Sequence, residues 1–258
     1  MLIVLIHNNE INRLSYIREK ISRLIEEFPK TQIEYIEIFE RSEVKLSKLQ
    51  FFLRNFHLKL IQVKWLLMTN RVSSKNTSQI FLKIIKIARN RSRSSKNIIS
   101  EIDLTFKHLA AWNYFDQNTF QELFVFESDA IIDFLDCLVN YINIFVNNMN
   151  MQLLMGGLGY EIEELGVDAV SHAFGDCIFH TSKQLTTNTT VFYGVKKDLV
   201  KAMLSNSSRR MRLLPIDWMM NSLFLKLNGN IYRGTMLAMK KSVLNGSQFG
   251  YYESSIQF

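Results

Sequence analysis

Apolar and polar residues follow two different periods along the start of the chain. Residues 1–6 form an unbroken apolar run, which predicts a buried strand. Residues 11–28 carry apolar side chains at helical spacing, and Pro29 follows the last of them. Residues 32–39 alternate between apolar and polar and predict a second strand. A strand, a helix and a strand in this order indicate a right-handed βαβ unit.

The same two periods continue after residue 100. A buried strand is predicted at residues 123–126, where four apolar residues precede Glu127. Four more helices are predicted, at residues 100–115, 131–149, 196–204 and 215–227, and Ser100 is expected to cap the first of them. The other predicted strands cover residues 152–155, 177–179, 189–194 and 231–235. Strands that alternate with helices predict an α/β fold with a sheet flanked by helices.

The length of the chain allows one large domain or two small ones, and the absence of a visible linker favours one. The 258 residues are 47% hydrophobic, with only 10 glycines and 2 prolines, which disfavours a sandwich with many turns. No internal repeat or linker interrupts residues 1–258, and the apolar run at the start is short for a signal peptide or a membrane span. Cys137 and Cys177 do not make a disulfide framework, so a reducing compartment is expected.

The positive charge is concentrated in one segment. The net charge is +7, yet residues 44–100 contain thirteen Lys and Arg residues and no Asp or Glu. The remainder of the chain has 18 basic and 24 acidic residues and is therefore acidic. This distribution indicates a basic insertion in an acidic domain and a polyanionic partner.

The basic insertion is predicted to be helical, with a short second helix at residues 80–88. Its first helix has one apolar seam, formed by Leu46, Leu49, Leu53, Phe56, Leu60, Val63 and Leu67. The seam has three interpretations. It packs on the body or on a partner helix, it lies on an anionic membrane, or it belongs to a nucleic-acid surface. Nucleic acid is the weakest of the three, because the chain has no zinc-finger spacing and no RNA-recognition aromatic motif.

Two carboxylates follow the strand at residues 123–126. Glu127 and Asp129 are separated by Ser128, at the carboxyl end of the strand, where open α/β sheets bind ligands. Such a pair can hold a divalent cation and, through it, the diphosphate of a nucleotide. The alternative is that Ser128 or Asp129 caps the helix predicted from residue 131. A further group, His172, Asp176, Cys177 and His180, fits no standard structural zinc spacing.

Four separated elements resemble one enzyme family, the family 25 glycosyltransferases of the lipooligosaccharide galactosyltransferase group. Residues 101–112 are similar to the family's Glu-Ile-Gly-Cys-x-x-Ser-His-x-x-x-Trp helix, and residues 127–130 resemble its Glu-Asp-Asp-Ala strand end. Residues 191–204 and 215–217 resemble a strand-helix pair and a Pro-Ile/Val-Asp element. The order of the elements carries the resemblance. Ser128 and Lys107 depart from the family pattern, and the basic insertion has no recognised counterpart in it.

The resemblance implies a GT-A-like nucleotide-sugar-binding mixed sheet and a glycosyltransferase activity. The expected enzyme moves a sugar from a nucleotide-diphosphate donor to a saccharide acceptor of a bacterial surface glycan, lipooligosaccharide or capsule, with inversion. Asp129 and Glu127 would bind Mn²⁺ or Mg²⁺. Arg209, Arg210 and Arg212 would bind the donor phosphates, and Asp217 would act as the catalytic base or contact the acceptor. Glu101, His108 and Trp218 would bind substrate.

Several alternatives stay open at this point. The three arginines also suit a solvated basic turn, Asp217 a carboxylate at a helix N-terminus, and His108 a hydrogen-bonded core position. The expected location is cytoplasmic and peripheral at the inner face of the membrane, where a glycolipid acceptor would give the basic segment a purpose. The alternative function is a non-enzymatic module that binds membrane or nucleic acid through that segment.

Overall fold

The computed structural model describes residues 1–40, 46–70, 82, 84–87, 95–156, 169–174, 177–183, 185, 187, 190–227, 235–239 and 243–245. The helices are α1 (Ile11–Glu26), α2 (Lys48–Asn70), α3 (Ser95–Gln117), α4 (Leu135–Asn147), α5 (Lys197–Asn206) and α6 (Ile216–Leu227), and a 3₁₀ turn covers Met211–Leu213. The strands are β1 (Leu2–Ile6), β2 (Glu34–Ile38), β3 (Glu122–Glu127), β4 (Ala130–Ile132), β5 (Met151–Met155), β6 (Ala169–Phe174), β7 (Cys177–Ser182), β8 (Phe192–Lys196), β9 (Thr235–Met239) and β10 (Val243–Asn245).

Eight of these strands form one mixed sheet in the order β2-β1-β3-β8-β5-β9-β7-β6. β1 is parallel to both β2 and β3, and β8 runs antiparallel to β3 and β5. β9 is parallel to β5, whereas β7 is antiparallel to β9 and β6. β4 and β10 form a separate antiparallel ribbon. The prediction of an α/β fold with a mixed sheet flanked by helices is confirmed.

The connections around β1 create a crevice at the carboxyl edge of the sheet. The chain leaves β1 through α1 and enters β2 on one side of it. From β2 it passes through α2 and α3 and enters β3 on the other side of β1. Neighbouring strands whose connections depart in opposite directions leave a gap at their carboxyl ends, and open α/β sheets bind ligands in that gap.

Helices cover both faces of the sheet, which explains the unbroken apolar runs of β1 and β3. Leu2, Val4 and Val125 face a core shared with α3, α5 and α6. Ile3 and Leu5 face a second core shared with α1 and α4. Each central strand therefore contributes alternate residues to two cores.

Four sequence predictions differ from the fold. The helix expected from residue 131 begins at Leu135, because Ala130–Ile132 is a strand that pairs with Val243–Asn245. The helix expected from Ser100 begins at Ser95, so Ser100 lies inside it and does not cap it. The last sheet strand occupies Thr235–Met239, and the hairpin strand β6 was not predicted. The sequence also predicts a glycine-rich turn at residues 156–159 and a basic loop at residues 89–96, and most of both segments lies outside the described residues.

Two further observations concern the length of the helices and the cysteines. Within the described part of the chain, no helix combines the length and the apolar character needed to cross a bilayer. Cys137 is disulfide-bonded, which is contrary to the expectation of a reducing compartment.

Candidate functional site

The carboxyl ends of β1 and β3 are joined by backbone hydrogen bonds at the crevice. The Ser128 amide donates to the Ile6 carbonyl at 2.9 Å, and the Glu127 amide donates to the Val191 carbonyl at 2.9 Å. Ser128 and Asp129 then form a two-residue turn between β3 and β4. The acidic motif therefore lies at the sheet edge that the connections leave open.

The Glu127 carboxylate is held by two side chains. The Thr190 hydroxyl donates to Oε1 at 2.6 Å, and Nε2 of His108 lies 3.2 Å from the same oxygen. The side chain of Glu127 is 14% exposed, whereas that of His108 is fully buried. The orientation of this carboxylate is thus fixed from the protein interior while part of it reaches the surface.

A buried chain of hydrogen bonds supports His108. The Trp112 indole donates to the Tyr193 hydroxyl at 2.9 Å, and that hydroxyl lies 2.8 Å from Nδ1 of His108. Burial raises the pKa of Tyr193 well above its ordinary value, so its hydroxyl keeps its proton. Every donor has an acceptor if the Tyr193 hydroxyl donates to Nδ1 of His108 and Nε2–H of His108 donates to Glu127.

Glu10 brings a third carboxylate next to the acidic motif. Its Oε2 atom accepts hydrogen bonds from the Asn8 amide at 3.0 Å and from the Ser128 hydroxyl at 3.1 Å. Burial alone would raise the pKa of Glu10, but these two hydrogen bonds lower it, so the group is ionised. Glu10 was not among the residues predicted for the site, and Ser128, which departs from the family's acidic motif, donates the hydrogen bond that holds Glu10 there.

A buried lysine lies beneath the loop after β1. Nζ of Lys107 donates to the His7 carbonyl at 2.9 Å and to the side-chain oxygen of Asn8 at 2.5 Å. It also pairs with Asp103, one turn earlier on α3, at 3.2 Å. In the sequence Lys107 is only a departure from the family pattern, because no local signal shows that α3 crosses the end of β1.

A second polar group lies at the ends of β1 and β2. His7 accepts the Asn9 amide on Nδ1 at 3.0 Å, so its Nε2–H faces Glu37 at 3.1 Å. Burial lowers the pKa of His7, although Glu37 opposes the shift. Arg18 binds both oxygens of Glu37, and this contact lowers the pKa of Glu37 to about 2.

The other residues predicted for the site occupy three different environments. Asp129 is half-buried in the turn next to Glu127. Glu101 is buried in α3, where its carboxylate pairs with Arg54 of α2. Trp218 is half-buried and packs against the core on the α6 side of the sheet. Of these three, Asp129 is the one close to Glu127 in the chain, two residues after it.

The three arginines lie on the connection between α5 and α6. Arg209 and Arg210 are exposed, and Arg212 donates to the Ser207 hydroxyl at 3.1 and 3.3 Å. Burial lowers the pKa of His57 in α2, and the positive charge of Arg210 lowers it further, so this connection lies near α2.

Asp217 lies in the first turn of α6, on a helix attached to the same sheet edge. Asn221, four residues later and therefore on the same helix face, donates to the Thr187 carbonyl at 2.6 Å and accepts the Thr187 amide at 2.9 Å. Thr187 precedes Thr190, whose hydroxyl binds Glu127. The face of α6 that carries Asp217 thus meets Thr187, three residues before the threonine that binds Glu127.

The donor set suits a hard cation only in part. No three His, Cys, Asp or Glu side chains converge to form a metal-binding group in the ranges that the structure describes. Mg²⁺, however, is commonly bound by one or two carboxylates together with substrate phosphates and water. Glu127 and Asp129 fit that arrangement. The helix-cap alternative is wrong, because Phe134 occupies the N-cap of α4.

Comparisons with known proteins do not identify a family. No protein-family model matches the chain, and no curated protein matches it significantly. The resemblance to family 25 glycosyltransferases therefore depends on the four sequence elements alone, and the activity that it implies stays a prediction.

Proposed function

We propose that the protein is a metal-dependent glycosyltransferase, similar to family 25, with a GT-A-like nucleotide-sugar-binding sheet. The observation that carries the proposal is the placement of Glu127 and Asp129. Glu127 ends β3 and Asp129 follows in the next turn, at the crevice beside β1, and a buried chain of hydrogen bonds from Trp112 to His108 fixes the Glu127 carboxylate. A polar network built into the core to orient one surface carboxylate favours a functional role over a chance surface position.

Asp129, with Glu127, would hold Mn²⁺ or Mg²⁺, and the bound cation would neutralise negative charge on the donor diphosphate. Arg209 and Arg210 are exposed and would contact the donor phosphates, whereas Arg212 would first have to leave Ser207. His108 and Glu101 are buried, so in the proposed enzyme His108 positions Glu127, and Glu101 fixes α2 through Arg54.

The proposed reaction exchanges one carbon-oxygen bond for another. An acceptor hydroxyl attacks the anomeric carbon of the donor sugar, the bond from that carbon to the diphosphate oxygen breaks, and the nucleoside diphosphate leaves with both electrons. Direct displacement inverts the configuration of the anomeric carbon. Asp217, on the face of α6 that meets the Thr187 segment, would accept the proton of the acceptor hydroxyl. Trp218 follows it and would contact the acceptor sugar.

Titration calorimetry with a panel of nucleotide-diphosphate sugars, with and without Mn²⁺, tests the proposal. We expect binding of at least one donor to require the cation. Asp129→Asn should weaken that binding by about tenfold or more. Asp133→Asn is the matched control, since Asp133 is an exposed carboxylate just beyond β4. Binding that is indifferent to Mn²⁺ and to Asp129→Asn would refute the metal site.

A second candidate is a non-enzymatic module that binds a membrane through the basic insertion. The observation that favours it is the exposed apolar seam of α2, which includes Leu49, Leu53 and Phe56. The same calorimetry separates the two functions, because the module would bind none of the donors. Nucleic acid remains the less favoured partner of the insertion.

The proposed location is the cytoplasmic periphery of a membrane. A stable disulfide is uncommon in the cytoplasm. Maleimide labelling of the protein, denatured without reductant directly from cells, would show whether Cys137 is bridged there. A labelled Cys137 is expected for a cytoplasmic protein, and a protected one would place the protein in an oxidising compartment.

A further inference from the structure

Most of the apolar seam of α2 faces solvent, together with Phe52 beside it. Six large apolar side chains of this helix are between 45% and 65% exposed, namely Leu49, Phe52, Leu53, Phe56, Leu60 and Leu67. At 3.6 residues per turn, all six fall within an arc of about 100° around the helix axis. The interpretation in which the seam packs on the body of the protein is therefore wrong. Isolated exposed apolar residues are ordinary, but a continuous stripe of this kind indicates an interaction surface.

The opposite face of α2 is firmly attached to the domain. Arg54 is 3% exposed, pairs with Glu101 of α3, and donates through Nε to the Leu213 carbonyl at 2.8 Å. Ile61 is buried in the core, and Leu58 packs against it. The orientation of the helix is thus fixed by a buried ion pair and apolar contacts, and the same contacts direct the stripe outward.

Basic residues border the stripe on both sides. On the helical projection, Lys48 and Lys59 lie within about 40° of one border and Lys64 within about 20° of the other. The segment that contains them, residues 44–100, has thirteen basic residues and no acidic one. Arg210 adds positive charge close to His57, on the same side as Lys64. An apolar stripe between two rows of cations is the pattern of a helix that lies in the plane of an anionic bilayer.

We propose that α2 docks on an anionic lipid bilayer, with the stripe inserted between the acyl chains and Lys48, Lys59 and Lys64 at the headgroup phosphates. Charge decides between a bilayer and a second copy of the chain. Two copies that met through this stripe would bring two sets of lysines together without acidic partners on either helix, because residues 46–70 contain no Asp or Glu. An anionic membrane supplies the missing negative charge.

The docked helix lies at the same end of the molecule as the acidic motif. His108 contacts Glu127 at the carboxyl edge of the sheet, and Glu101 lies two turns, about 10 Å, earlier on the same helix. Arg54 of α2 binds Glu101 there. If the protein is the proposed transferase, this placement favours an acceptor that is itself a membrane glycolipid. The docking does not depend on that activity.

Flotation of the full-length protein with vesicles tests the docking directly. Phosphatidylcholine vesicles are compared with vesicles that also contain phosphatidylglycerol, at low and high salt. Two triple variants are made, one with Leu53, Phe56 and Leu60 changed to Ser and the other with Lys48, Lys59 and Lys64 changed to Gln. Two control variants carry the same kinds of substitution at exposed positions elsewhere. One changes Met149 and Val170 to Ser, and the other changes Lys30, Lys183 and Lys201 to Gln.

The wild type should float with anionic vesicles and lose most of this binding at high salt. Each triple variant should bind anionic vesicles more weakly than the wild type by about tenfold or more, whereas both controls should bind as the wild type does. Circular dichroism should show unchanged folding, since every altered residue is on the surface or near it. Wild-type protein that stays with neither vesicle, or a Ser variant that floats like the wild type, would overturn the proposal.

Sedimentation analysis of the same proteins tests the alternative that a second copy of the chain binds the stripe. A wild-type dimer that becomes monomeric in the Ser variant, with no flotation of either protein, would assign the stripe to a second copy and overturn membrane docking. Donor binding by calorimetry is measured separately, so failure of docking and failure of the proposed transferase activity give different results.

Discussion

Nε2 of His108 lies 3.2 Å from Oε1 of Glu127, and the imidazole that makes this contact is completely buried. His108 in turn depends on Tyr193 and Trp112. The orientation of a surface carboxylate is therefore determined by three residues of the core, two of which belong to α3 and one to β8.

Replacement of His108 by Phe should destabilise the protein by about 1 to 3 kcal/mol, because the Tyr193 hydroxyl loses its acceptor inside the core. Tyr193→Phe should cost a similar amount, since the Trp112 indole then loses its acceptor. The double variant should cost less than the sum of the two, because both belong to one chain of hydrogen bonds. Urea unfolding of the three variants measures these losses of stability. The control is His57→Phe, at a half-buried position that does not belong to this chain of hydrogen bonds.

Nitrogen NMR of the imidazole gives an independent check of the same arrangement. We expect Nε2 of His108 to carry the ring proton and Nδ1 to accept from the Tyr193 hydroxyl. A proton on Nδ1 would contradict the direction of these hydrogen bonds. If the losses of stability of His108→Phe and Tyr193→Phe simply add in the double variant, the two residues do not belong to one connected chain.

Arg54→Met should destabilise the protein by about 3 to 5 kcal/mol, because it leaves the Glu101 carboxylate buried without its partner. Adding Glu101→Met should recover most of the loss, since two apolar side chains can fill the same space without an uncompensated charge. Chemical denaturation of both variants measures the difference. The exposed pair of Glu19 and Arg23 is a suitable control, and its disruption should cost less than about 1 kcal/mol.

Glu37 should make stability depend on pH in acid. Its hydrogen bonds from Arg18 lower its pKa in the folded protein to about 2, from an ordinary value of 4.5. Its contribution is therefore fully present above about pH 4.5 and disappears as the pH falls toward 2. Arg18 is half exposed, so solvent limits the effect to about 1 kcal/mol.

Thermal unfolding of the wild type and Glu37→Gln between pH 2 and pH 6 measures this contribution. The two proteins should differ most above pH 4.5 and converge near pH 2. Glu26→Gln removes an exposed carboxylate from α1 and controls for the change in net charge. A constant difference between wild type and Glu37→Gln over the whole range would contradict the lowered pKa.

Gly194→Ala should destabilise the sheet by about 1 to 3 kcal/mol through overpacking. A Cβ atom at this position in β8 would lie 2.7 Å from Cε1 of Phe124 and 3.3 Å from Cβ of Leu154. Phe124→Leu reduces the ring that causes the closest contact, so the cost of Gly194→Ala should be smaller in that background. Denaturant midpoints of the four proteins give the coupling energy, and equal costs in both backgrounds would exclude the contact as the cause.

The sequence predicted the central elements because their patterns are local. Unbroken apolar runs identified β1 and β3, and helical spacing identified α1, α2 and α6. The start of α4 was misplaced because Ile131 and Ile132 are apolar in a strand as in a helix, and only pairing with Val243 and Leu244 decides between them. Strands whose partners are distant in the chain leave little local signal.

The candidate site was predictable only in part, for the same reason. Glu127 and Asp129 could be found, since they follow a recognisable strand. Glu10 and Thr190 could not, because their places beside Ser128 and Glu127 result from the assembly of the sheet. The period of α2 was also read correctly, but periodicity identifies a face of a helix without showing what that face meets.

The ribbon of β4 and β10 has a consequence for the order in which the protein matures. β4 follows the Ser128–Asp129 turn directly, and its partner Val243–Asn245 lies more than a hundred residues later in the chain. During synthesis the first sheet strands and their helices can assemble while that partner is still missing. The ribbon beside the acidic turn forms only after residue 245 has been made, so a nascent chain would acquire its first strands and helices before it acquires a finished site.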